Sequence, residues 1–431
     1  MWQDEYQKKL TTPEKAVQFI KSGDRVILGL ASAEPMALVD AMVANKDNYT
    51  DVELVALLTL GASEWCKPEM KGHFRFNCMF AMPANRDFIY SGEADYTTSF
   101  LYEIPHLFRK EMRPNVTLIQ VSTPDKHGYC SFGPSVDYTK VAAEFSDIVI
   151  AQVNKYMPRT LGESFIHISQ IDHICESDAP LPCVPTPPIG DVERAIGEHI
   201  AELIHDGDTL QLGIGAIPNA VLSFLHHKKD LGIHSELVSD GIVDLVEEGV
   251  INNTKKTLHK GKCIVGFAMG TQKIYDFIDD NPAVEMHPFD YVNDPMVIMK
   301  NDNMVSINSC LQVDLLGQVV SDTMGLKQFS GVGGQLDFVR GARMSKGGRS
   351  IMAMPSTAAR GKVSRIVSLI TEGSAITTTR NDVDYIITEF GVAQLRGKTL
   401  RQRAKELIMI AHPDFRDELK AEYEKRFKEV L

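Results

Sequence analysis

The chain has 431 residues, of which 44% are hydrophobic and 24% are charged, and its formal net charge is −12 at pH 7. This length suits two domains of about 200 residues each, and the negative charge argues against nonspecific nucleic-acid binding, which needs a positive field. Because no apolar run reaches the roughly 18 residues of a membrane helix and the first residues lack the pattern of a secretory signal, we expect a cytoplasmic protein with no membrane partner.

Short apolar runs alternate with helical patterns through the first half of the chain. Runs of Val, Ile and Leu bounded by Gly and Asp suit buried, mainly parallel strands. They predict strands at 25–28, 53–58, 116–121 and 147–153. A cluster of prolines between 180 and 188 then marks a linker, because proline fixes φ and lacks a backbone donor. We therefore predict a first domain over 1–180 and a second over 190–431.

The second half begins with apolar residues at helical spacing, which predict a helix over 190–200. Further helices are predicted at 218–227 and 399–411. Apolar runs predict strands at 209–212, 263–267, 304–307, 351–354 and 385–388. The expected fold class is α/β in both domains, with mainly parallel sheets and functional sites at the carboxyl ends of strands.

The two halves share sequence patterns, which indicates that the domains are related. The segment GDRVILG begins at Gly23 and GDTLQLG begins at Gly207, an offset too long for a solenoid repeat. A second echo sets Asp125 and Gly128 against Asp314 and Gly317. Only the second half adds a glycine-rich loop near 331 and the segment HSEL, so we expect the active site on the second domain, covered by the first.

One candidate loop follows the predicted strand at 209–212 and opens a helix. Its glycines let the backbone approach a ligand, and a helix N-terminus favours anions. The loop lacks the third glycine of the dinucleotide fingerprint. A tight turn without a ligand therefore stays an alternative to ligand binding for Gly213, Ile214, Gly215, Ala216 and Ile217.

A second candidate loop reads SGVGGQLDF and contains Gly331, Gly333 and Gly334. Three glycines in four residues raise the entropy cost of folding, so a close approach or a positive φ is expected there. Its consecutive amides are suited to an oxyanion, a thioester carbonyl or a phosphate. A β-bulge or a tight hairpin is the structural alternative.

Glu236 is the candidate nucleophile. It lies in the segment IHSELVSDG, between apolar residues and a small-residue turn. A carboxylate held among dipoles and apolar walls can act as a nucleophile, although most glutamates are solvated surface groups. His234 is either an acid/base residue or a structural histidine. No G-x-S-x-G elbow, P-loop or HExxH motif accompanies them.

Basic residues crowd into the segment just after the glycine-rich loop. They are either a solvated face or the contacts of a phosphate-bearing ligand, and their position beside the loop favours the ligand. The set comprises Arg340, Arg343, Lys346, Arg349, Arg360, Lys362 and Arg365.

Metal and disulfide chemistry find no support in the sequence. The seven cysteines are scattered without a Cys-x-x-Cys pair. An odd number of cysteines argues against a disulfide framework, and the spacing matches no structural zinc site. We expect neither a metal nor a disulfide.

Taken in order, the motifs resemble the acetyl-CoA hydrolase/transferase family of CoA-transferases over essentially the whole chain. Within it, the HSE and SDG segments with KQFSGVGGQ-DFVRGA are most similar to the 4-hydroxybutyrate CoA-transferases, and the butyryl-CoA:acetate CoA-transferases are very similar. The resemblance also rests on LQLGIGAIPNAV, DYVNDP, IMAMPSTA, YIITEFGVAQLRGK and IAHPDF.

The resemblance implies a role for individual residues and a fold. Glu236 takes the place of the glutamate that becomes a glutamyl-CoA thioester, Gly334 that of the carbonyl-binding amide, and Asn293 that of an asparagine in the same site. The loop from Gly213 to Ile217 takes the place of one that contacts CoA. Relatives often carry a lysine after PST-A, whereas Ala358, Ala359 and Arg360 stand here, so the phosphate contact is assigned to Arg360 or Lys362. The implied fold is two domains of the NagB/RpiA/CoA-transferase type.

The implied chemistry is CoA transfer between short-chain acyl-CoA and carboxylates such as acetate, with ping-pong kinetics. Energy stays in thioester and anhydride bonds, so no cofactor is required beyond the substrate coenzyme A. A homodimer is expected. Two alternatives stay open, an acyl-CoA hydrolase that uses the same Glu236 and a noncatalytic module that binds CoA or a sugar phosphate.

Overall fold

The computed structural model describes residues 2–431. These residues form two compact units. The first comprises the chain up to Pro185 together with Ile264–Val292, and the second comprises Thr186–Cys263 with Asn293–Leu431. The sequence prediction of domains over 1–180 and 190–431 did not include this return of 264–292 to the first unit.

The strands and helices alternate along the chain. The strands, in chain order, are β1 (Arg25–Leu28), β2 (Val52–Ala56), β3 (Phe74–Cys78), β4 (Ala94–Tyr96), β5 (Val116–Val121), β6 (Tyr129–Ser131), β7 (Ile148–Val153), β8 (Leu161–Gly162), β9 (Phe165–His167), β10 (His173–Glu176), β11 (Thr209–Leu212), β12 (Gly232–Val238), β13 (Cys263–Ala268), β14 (Val284–Met286), β15 (Met304–Ser309), β16 (Gln312–Asp314), β17 (Val319–Val320), β18 (Thr323–Met324), β19 (Lys327–Gln328), β20 (Arg349–Ala353), β21 (Thr357–Ala358), β22 (Val363–Ser364), β23 (Ile366–Val367), β24 (Tyr385–Thr388) and β25 (Gly391–Gln394).

The α-helices, in chain order, are α1 (Trp2–Lys9), α2 (Pro13–Ala16), α3 (Met36–Ala44), α4 (Arg86–Ser91), α5 (Ile104–Arg109), α6 (Thr139–Phe145), α7 (Asp191–Glu202), α8 (Ala216–Ser223), α9 (Gly241–Glu247), α10 (Gln272–Ile278), α11 (Phe289–Val292), α12 (Pro295–Ile298), α13 (Gln335–Met344), α14 (Leu400–Met409) and α15 (Pro413–Phe427). Short 3-10 helices occupy Val17–Phe19, Ala31–Ala33, Lys46–Asn48, Glu64–Cys66, Pro68–Met70, Leu101–Glu103 and Ile168–Gln170.

The first unit is built on a parallel sheet in the order β10-β7-β5-β1-β2-β3-β4. The chain starts at the central β1, proceeds to one side as far as β4, and then fills the other side of β1. Its central strands are mainly apolar and almost fully buried, and every residue of β2 and β5 is buried. This burial is typical of a parallel sheet covered by helices, and the reversal beside β1 is the point at which α/β folds bind ligands.

The second unit repeats this plan with the order β25-β24-β20-β15-β11-β12. All neighbouring pairs are parallel except β24 with the edge strand β25. The first strand, β11, is again central, with β12 on one side and β15 on the other. The carboxyl ends of β11, β12 and β15 therefore meet at one edge of this sheet.

The related patterns in the two halves form the same local structures. Gly23 and Gly207 precede β1 and β11, and both have φ of +82°, a conformation that glycine adopts without strain. In the second echo, Asp125 accepts N–H groups from residues two and four positions later, and Asp314 does the same. The mixed α/β fold with mainly parallel sheets is confirmed.

Most predicted elements occur within a few residues of their expected bounds. The strands at 25–28, 116–121, 209–212 and 385–388 are those of the structure, and the helices predicted at 218–227 and 399–411 correspond to α8 and α14. The strand β12 was not predicted, although it carries Glu236.

Candidate active site

Glu236 lies near the carboxyl end of β12, beside the central strand β11. The apolar residues Ile233, Leu237 and Val238 are buried, and the register pairs Ile233 with Leu210 of β11. Ser235 also ties the two strands together, because its Oγ donates to the Leu212 carbonyl at 3.1 Å. Side chains alternate along a strand, so Glu236 emerges on the face opposite Ser235.

Two N–H groups hold the carboxylate of Glu236. The side-chain Nδ2 of Asn293 donates to Glu236 Oε2 at 3.0 Å, and the backbone N–H of Gly334 donates to the same carboxylate. Burial raises the pKa of Glu236 to about 7, although the bonds from Asn293 and Gly334 favour the ionised form. Near neutral pH the group is therefore divided between acid and carboxylate.

Gly334 is a glycine because there is no room for a side chain. A Cβ at this position would collide with Glu236 Oε2 and with Asn293 Nδ2. Gly334 is also the N-cap residue of α13, so the positive end of a helix dipole lies beside the carboxylate. The preceding Gly333 has φ of +56°, which explains a second glycine in the loop.

Asn293 is fully buried. Its Oδ1 has no hydrogen-bond partner among residues 2–431. The amide therefore carries a free acceptor beside the carboxylate. A buried acceptor without a partner usually costs about 1–3 kcal/mol of folding stability. The structure thus brings together Glu236, Asn293 and Gly334 within the second unit.

His234 favours the structural alternative. It is fully buried, and its Nδ1 lies 3.3 Å from Asn301 Nδ2. Its ring meets that of Phe338 edge to face, with centroids 6.2 Å apart. The ring contact packs β12 against α13, and neither contact involves Glu236.

The loop after β11 lies next to β12, because the carbonyl of Leu212, the last residue of β11, accepts a hydrogen bond from Ser235 Oγ. A Cβ at Gly213 or Gly215 would meet no atom within 4 Å, so the backbone of the loop borders open space. Gly215 has φ of +122°, which requires a glycine, whereas Gly213 is not required by backbone strain. Ile214, which lies between these two glycines, is 45% exposed, so its apolar side chain faces the same open space.

The predicted basic cluster is divided in the structure. Arg349 pairs with Asp208, and Arg340 lies 3.6 Å from Asp382. Lys346 lies 3.9 Å from Asp302. Arg365 is half-buried and donates to the Cys310 carbonyl at 3.4 Å. These side chains have structural partners, so the cluster is not one continuous ligand surface.

Arg360 and Lys362 differ from the other basic residues. They lie in the turn of the β21–β22 hairpin, are exposed, and form no ion pair with any residue between 2 and 431. The hairpin follows β20 and therefore lies at the same edge of the sheet as the loop after β11. The structure shows no contact of either side chain with Glu236 among the described residues.

Some features are absent from residues 2–431. No group of three or more His, Cys, Asp and Glu side chains could hold a metal ion there, and all seven cysteines are free. Within the same residues no helix has both the length and the apolar character needed to cross a bilayer.

Three polar residues at the base of the glycine-rich loop were not predicted from the sequence to have a role, namely Ser321, Gln335 and Thr378. Gln335 is hydrogen-bonded to both of the other residues. Its position directly after GVGG, at the start of a helix, was the signal that could have identified it.

Comparison with known proteins identifies the family. The acetyl-CoA hydrolase/transferase N-terminal domain matches residues 1–185, and the C-terminal domain of that family matches residues 270–423. The 4-hydroxybutyrate coenzyme A transferase of Clostridium kluyveri is 60% identical over 427 residues, which are 99% of this chain and 100% of that protein.

Two solved structures are also similar. The 4-hydroxybutyrate CoA-transferase from Porphyromonas gingivalis has a TM-score of 0.87 and 45% identity, over 99% of this chain and 100% of the other. RipA from Yersinia pestis has a TM-score of 0.95 and 41% identity, over 99% of both chains. The family resemblance and the prediction of a CoA-transferase are confirmed. The chain belongs to the acetyl-CoA hydrolase/transferase family.

Proposed function

We propose that this protein transfers CoA between a short-chain acyl-CoA, such as 4-hydroxybutyryl-CoA or butyryl-CoA, and acetate or a similar carboxylate. The observation that carries the proposal is a carboxylate, Glu236, held by the N–H groups of Asn293 and Gly334 at the carboxyl edge of a parallel sheet. The names of the relatives from C. kluyveri and P. gingivalis support the four-carbon hydroxy acid as a substrate.

The first half-reaction converts Glu236 into a thioester. An ionised Oε of Glu236 attacks the acyl-CoA carbonyl carbon, the C–S bond breaks, and CoA leaves as a thiolate from a mixed acyl-glutamyl anhydride. The thiolate then attacks Cδ of Glu236. The acid leaves as a carboxylate with the bridging oxygen, and a glutamyl-CoA thioester remains.

The second half-reaction reverses these steps with another acid. Its carboxylate attacks Cδ of the glutamyl thioester and releases the CoA thiolate, which then attacks the new acyl carbon. Glu236 leaves as a carboxylate that carries one oxygen from the incoming acid. Because the first product acid departs before the second acid reacts, the kinetics should be ping-pong.

Each tetrahedral intermediate carries an oxyanion that needs a donor. The N–H of Gly334 is suited to that role, since it already points to the carboxylate whose carbon reacts. Loss of one such donor in other enzymes typically costs about 3 kcal/mol of transition-state stabilisation. Asn293 supports the same group from its side-chain amide.

We assign the CoA contacts to the backbone of two loops, the one after β11, which borders open space at Gly213 and Gly215, and the glycine-rich loop, and also to the exposed hairpin. The backbone residues are Gly213, Ile214, Gly215, Ala216, Ile217, Gly331 and Gly333. The hairpin contributes Arg360 or Lys362 to the phosphates, since both are exposed and unpaired within residues 2–431. The chemistry needs no metal and no cofactor beyond coenzyme A.

The acceptor pocket should distinguish acids weakly by length. One methylene in an apolar pocket changes binding by about 1–3 kcal/mol, so butyrate and propionate should also react. A hydroxyl is discriminated strongly only where a buried polar group pairs with it. We therefore expect 4-hydroxybutyryl-CoA and butyryl-CoA to have specificity constants within about tenfold, or about 1.4 kcal/mol, of each other. A panel of acyl-CoAs against acetate, butyrate, 4-hydroxybutyrate and succinate tests this. Activity confined to succinate or a 3-oxo acid would contradict it.

The covalent intermediate provides the decisive experiment. Acyl-CoA followed by borohydride should reduce Glu236 to the alcohol, which peptide mass spectrometry detects. Glu236→Gln should lose both the borohydride-reduced product at residue 236 and the transferase activity, because an amide is a far weaker nucleophile. Glu247→Gln, on the exposed face of α9, is the matched control and should keep both. Normal activity in Glu236→Gln would refute the proposal.

Hydrolysis is the second candidate function, because water can attack the same glutamyl thioester. The family name includes hydrolases. Acyl-CoA consumption, free CoA and acetyl-CoA should all be measured with and without acetate. Consumption that does not need acetate and releases an equal amount of free CoA would identify a hydrolase, whereas consumption that needs acetate and yields acetyl-CoA in place of free CoA identifies a transferase.

A further inference from the structure

The glycine-rich loop is held at both of its ends. Residues 331–334 contain three glycines, so the loop has few side chains with which to fix its own conformation. At its beginning, the N–H of Ser330 donates to the Asp322 carbonyl at 3.0 Å. The Ser330 carbonyl in turn accepts from Gln328 Nε2 at 2.9 Å.

At the other end, Gln335 makes three side-chain hydrogen bonds. Its Nε2 donates to the Ser309 carbonyl at 2.7 Å. Its Oε1 accepts from Ser321 Oγ at 2.8 Å and from Thr378 Oγ1 at 3.2 Å. Gln335 is only 8% exposed, although it is the first residue of α13.

The three partners of Gln335 lie in or beside strands of the second unit. Ser309 is the last residue of β15, next to the central β11. Ser321 follows β17, and Thr378 exchanges backbone hydrogen bonds with Val319 of that strand at 3.0 and 3.2 Å. The side-chain amide thus connects the start of α13 to two separate parts of the sheet framework.

We propose that Gln335 is a positioning residue, whose side-chain amide fixes the direction in which the backbone N–H of Gly334 points at Glu236. Gly333 and Gly334 can rotate more freely than other residues, and Gln335 is the first residue after them that is anchored by its side chain. The role of the N–H in catalysis rests on the proposed function, whereas its alignment with Glu236 does not.

The test variant is Gln335→Met, which keeps an unbranched side chain and removes all three bonds. Complete loss of an oxyanion donor lowers kcat by about 10²–10³-fold, so a misaligned donor should lower it by roughly 10- to 100-fold. The KM for acyl-CoA should stay within about threefold, because the CoA contacts assigned to the loop after β11 and to the hairpin are unchanged.

A second measurement needs no CoA. A water-soluble carbodiimide modifies protonated carboxyl groups, so the pH dependence of Glu236 modification, read by peptide mass spectrometry, reports its titration. In Gln335→Met the midpoint should move to higher pH, since the Gly334 N–H no longer supports the ionised form. Thr378→Val removes one of the three bonds and should shift both readouts in the same direction by less.

Ser345→Ala is the matched control. Ser345 lies at the other end of the same helix, and its Oγ donates to the Asn301 carbonyl at 2.6 Å and accepts from the Met304 N–H at 3.2 Å. The variant loses buried hydrogen bonds without touching the glycine-rich loop. It should change neither kcat per folded molecule nor the modification midpoint.

The two proposals fail in different ways. The positioning role is refuted if Gln335→Met, like the control Ser345→Ala, has the kcat per folded molecule and the modification midpoint of the wild type. If the wild type transfers no CoA, the proposed function is refuted, and the shift of the modification midpoint in Gln335→Met or Thr378→Val alone decides the role of Gln335.

Discussion

Glu236 joins two requirements that oppose each other at a single residue. A nucleophilic carboxylate must be ionised, yet burial raises its pKa to about 7. The same burial removes water and leaves a more basic, more nucleophilic oxygen than an exposed glutamate has. The N–H groups of Asn293 and Gly334 oppose the rise, so a useful fraction is ionised near neutral pH.

The first prediction concerns the pH dependence of this residue. The value of kcat/KM for acyl-CoA should rise through about pH 7, because only ionised Glu236 attacks. At pH 5, two units below that pKa, it should be about 100-fold lower than on the alkaline plateau. Stopped assays from pH 5 to 9 measure this.

Asn293→Ala provides the control for that assignment. Its loss removes a donor to the carboxylate, so the acid limb should move to higher pH. A profile of the wild type that is flat between pH 5 and 8 would show that ionisation of Glu236 does not limit the reaction.

A second residue-scale prediction separates stability from ligand approach. Gly213 borders open space, so Gly213→Ala should leave the melting temperature within about 1 °C, a change of only a few tenths of a kcal/mol. The same methyl group should raise the KM for acyl-CoA several-fold if CoA lies against this backbone.

Gly215→Ala is the comparison for Gly213→Ala. At a φ of +122° an alanine is strained, so this variant should lose stability by about 1–3 kcal/mol. Thermal melts and acyl-CoA titrations of both variants measure the difference. An unchanged KM in Gly213→Ala would move the CoA site away from this loop.

At the scale of elements, the sequence predicts strands correctly where the local pattern of residues is simple. The segments that form β1, β11 and β24 are mainly apolar and border Gly or Asp, and local propensity is sufficient to identify them. By contrast, β12 contains His234, Ser235 and Glu236 in succession, and this polar interruption hides a strand that tertiary contacts stabilise.

The candidate site shows the same limit. Glu236 and Asn293 are 57 residues apart in sequence, and no spacing rule brings them together; their pairing could be expected only from the family resemblance. The local density of basic residues did not distinguish those with structural partners from those exposed to solvent. A local count of charges cannot detect ion pairs to residues distant in sequence, such as Asp208 and Asp382.

The β21–β22 hairpin carries the element-scale prediction. Arg360→Ala should raise the KM for acyl-CoA by about fivefold, equivalent to about 1 kcal/mol for an exposed charge pair. The KM for acetate should not change, since a carboxylate acceptor has no CoA phosphates. Lys346→Ala, which removes an exposed charge paired with Asp302, is the control and should leave both constants unchanged. An unaffected acyl-CoA constant in Arg360→Ala would transfer the role to Lys362.

On the scale of the whole molecule, the two units repeat one plan with different chemistry. Both place a strand preceded by a left-handed glycine at the centre of a parallel sheet, and both hold a hydrogen-bonded carboxylate near the carboxyl ends of their first two strands. In the second unit it is Glu236. In the first unit it is Glu34, whose Oε2 accepts the N–H groups of Leu60 and Gly61 at 2.9 and 3.0 Å.

Glu34 supports a prediction about the stability of the first unit. It is 1% exposed, and burial raises its pKa to about 7 against the two amide bonds. Since the pKa is higher in the folded state than in the unfolded state, Glu34 favours folding at low pH, and that contribution is lost as pH rises from about 4.5 through about 7.

The stability of the wild type relative to Glu34→Gln should therefore fall between pH 5 and pH 8. With those two pKa values the change is about 2–3 kcal/mol. Both tryptophans, Trp2 and Trp65, belong to the first unit, so urea unfolding followed by tryptophan fluorescence reports on the unit that contains Glu34.

Glu69→Gln is the control for Glu34→Gln. It replaces an exposed carboxylate in the same unit and should show no such pH-dependent difference. Parallel urea midpoints of wild type and Glu34→Gln from pH 5 to 8 would mean that the unfolded and folded states bind protons equally at Glu34, and that the burial of this side chain does not govern its titration.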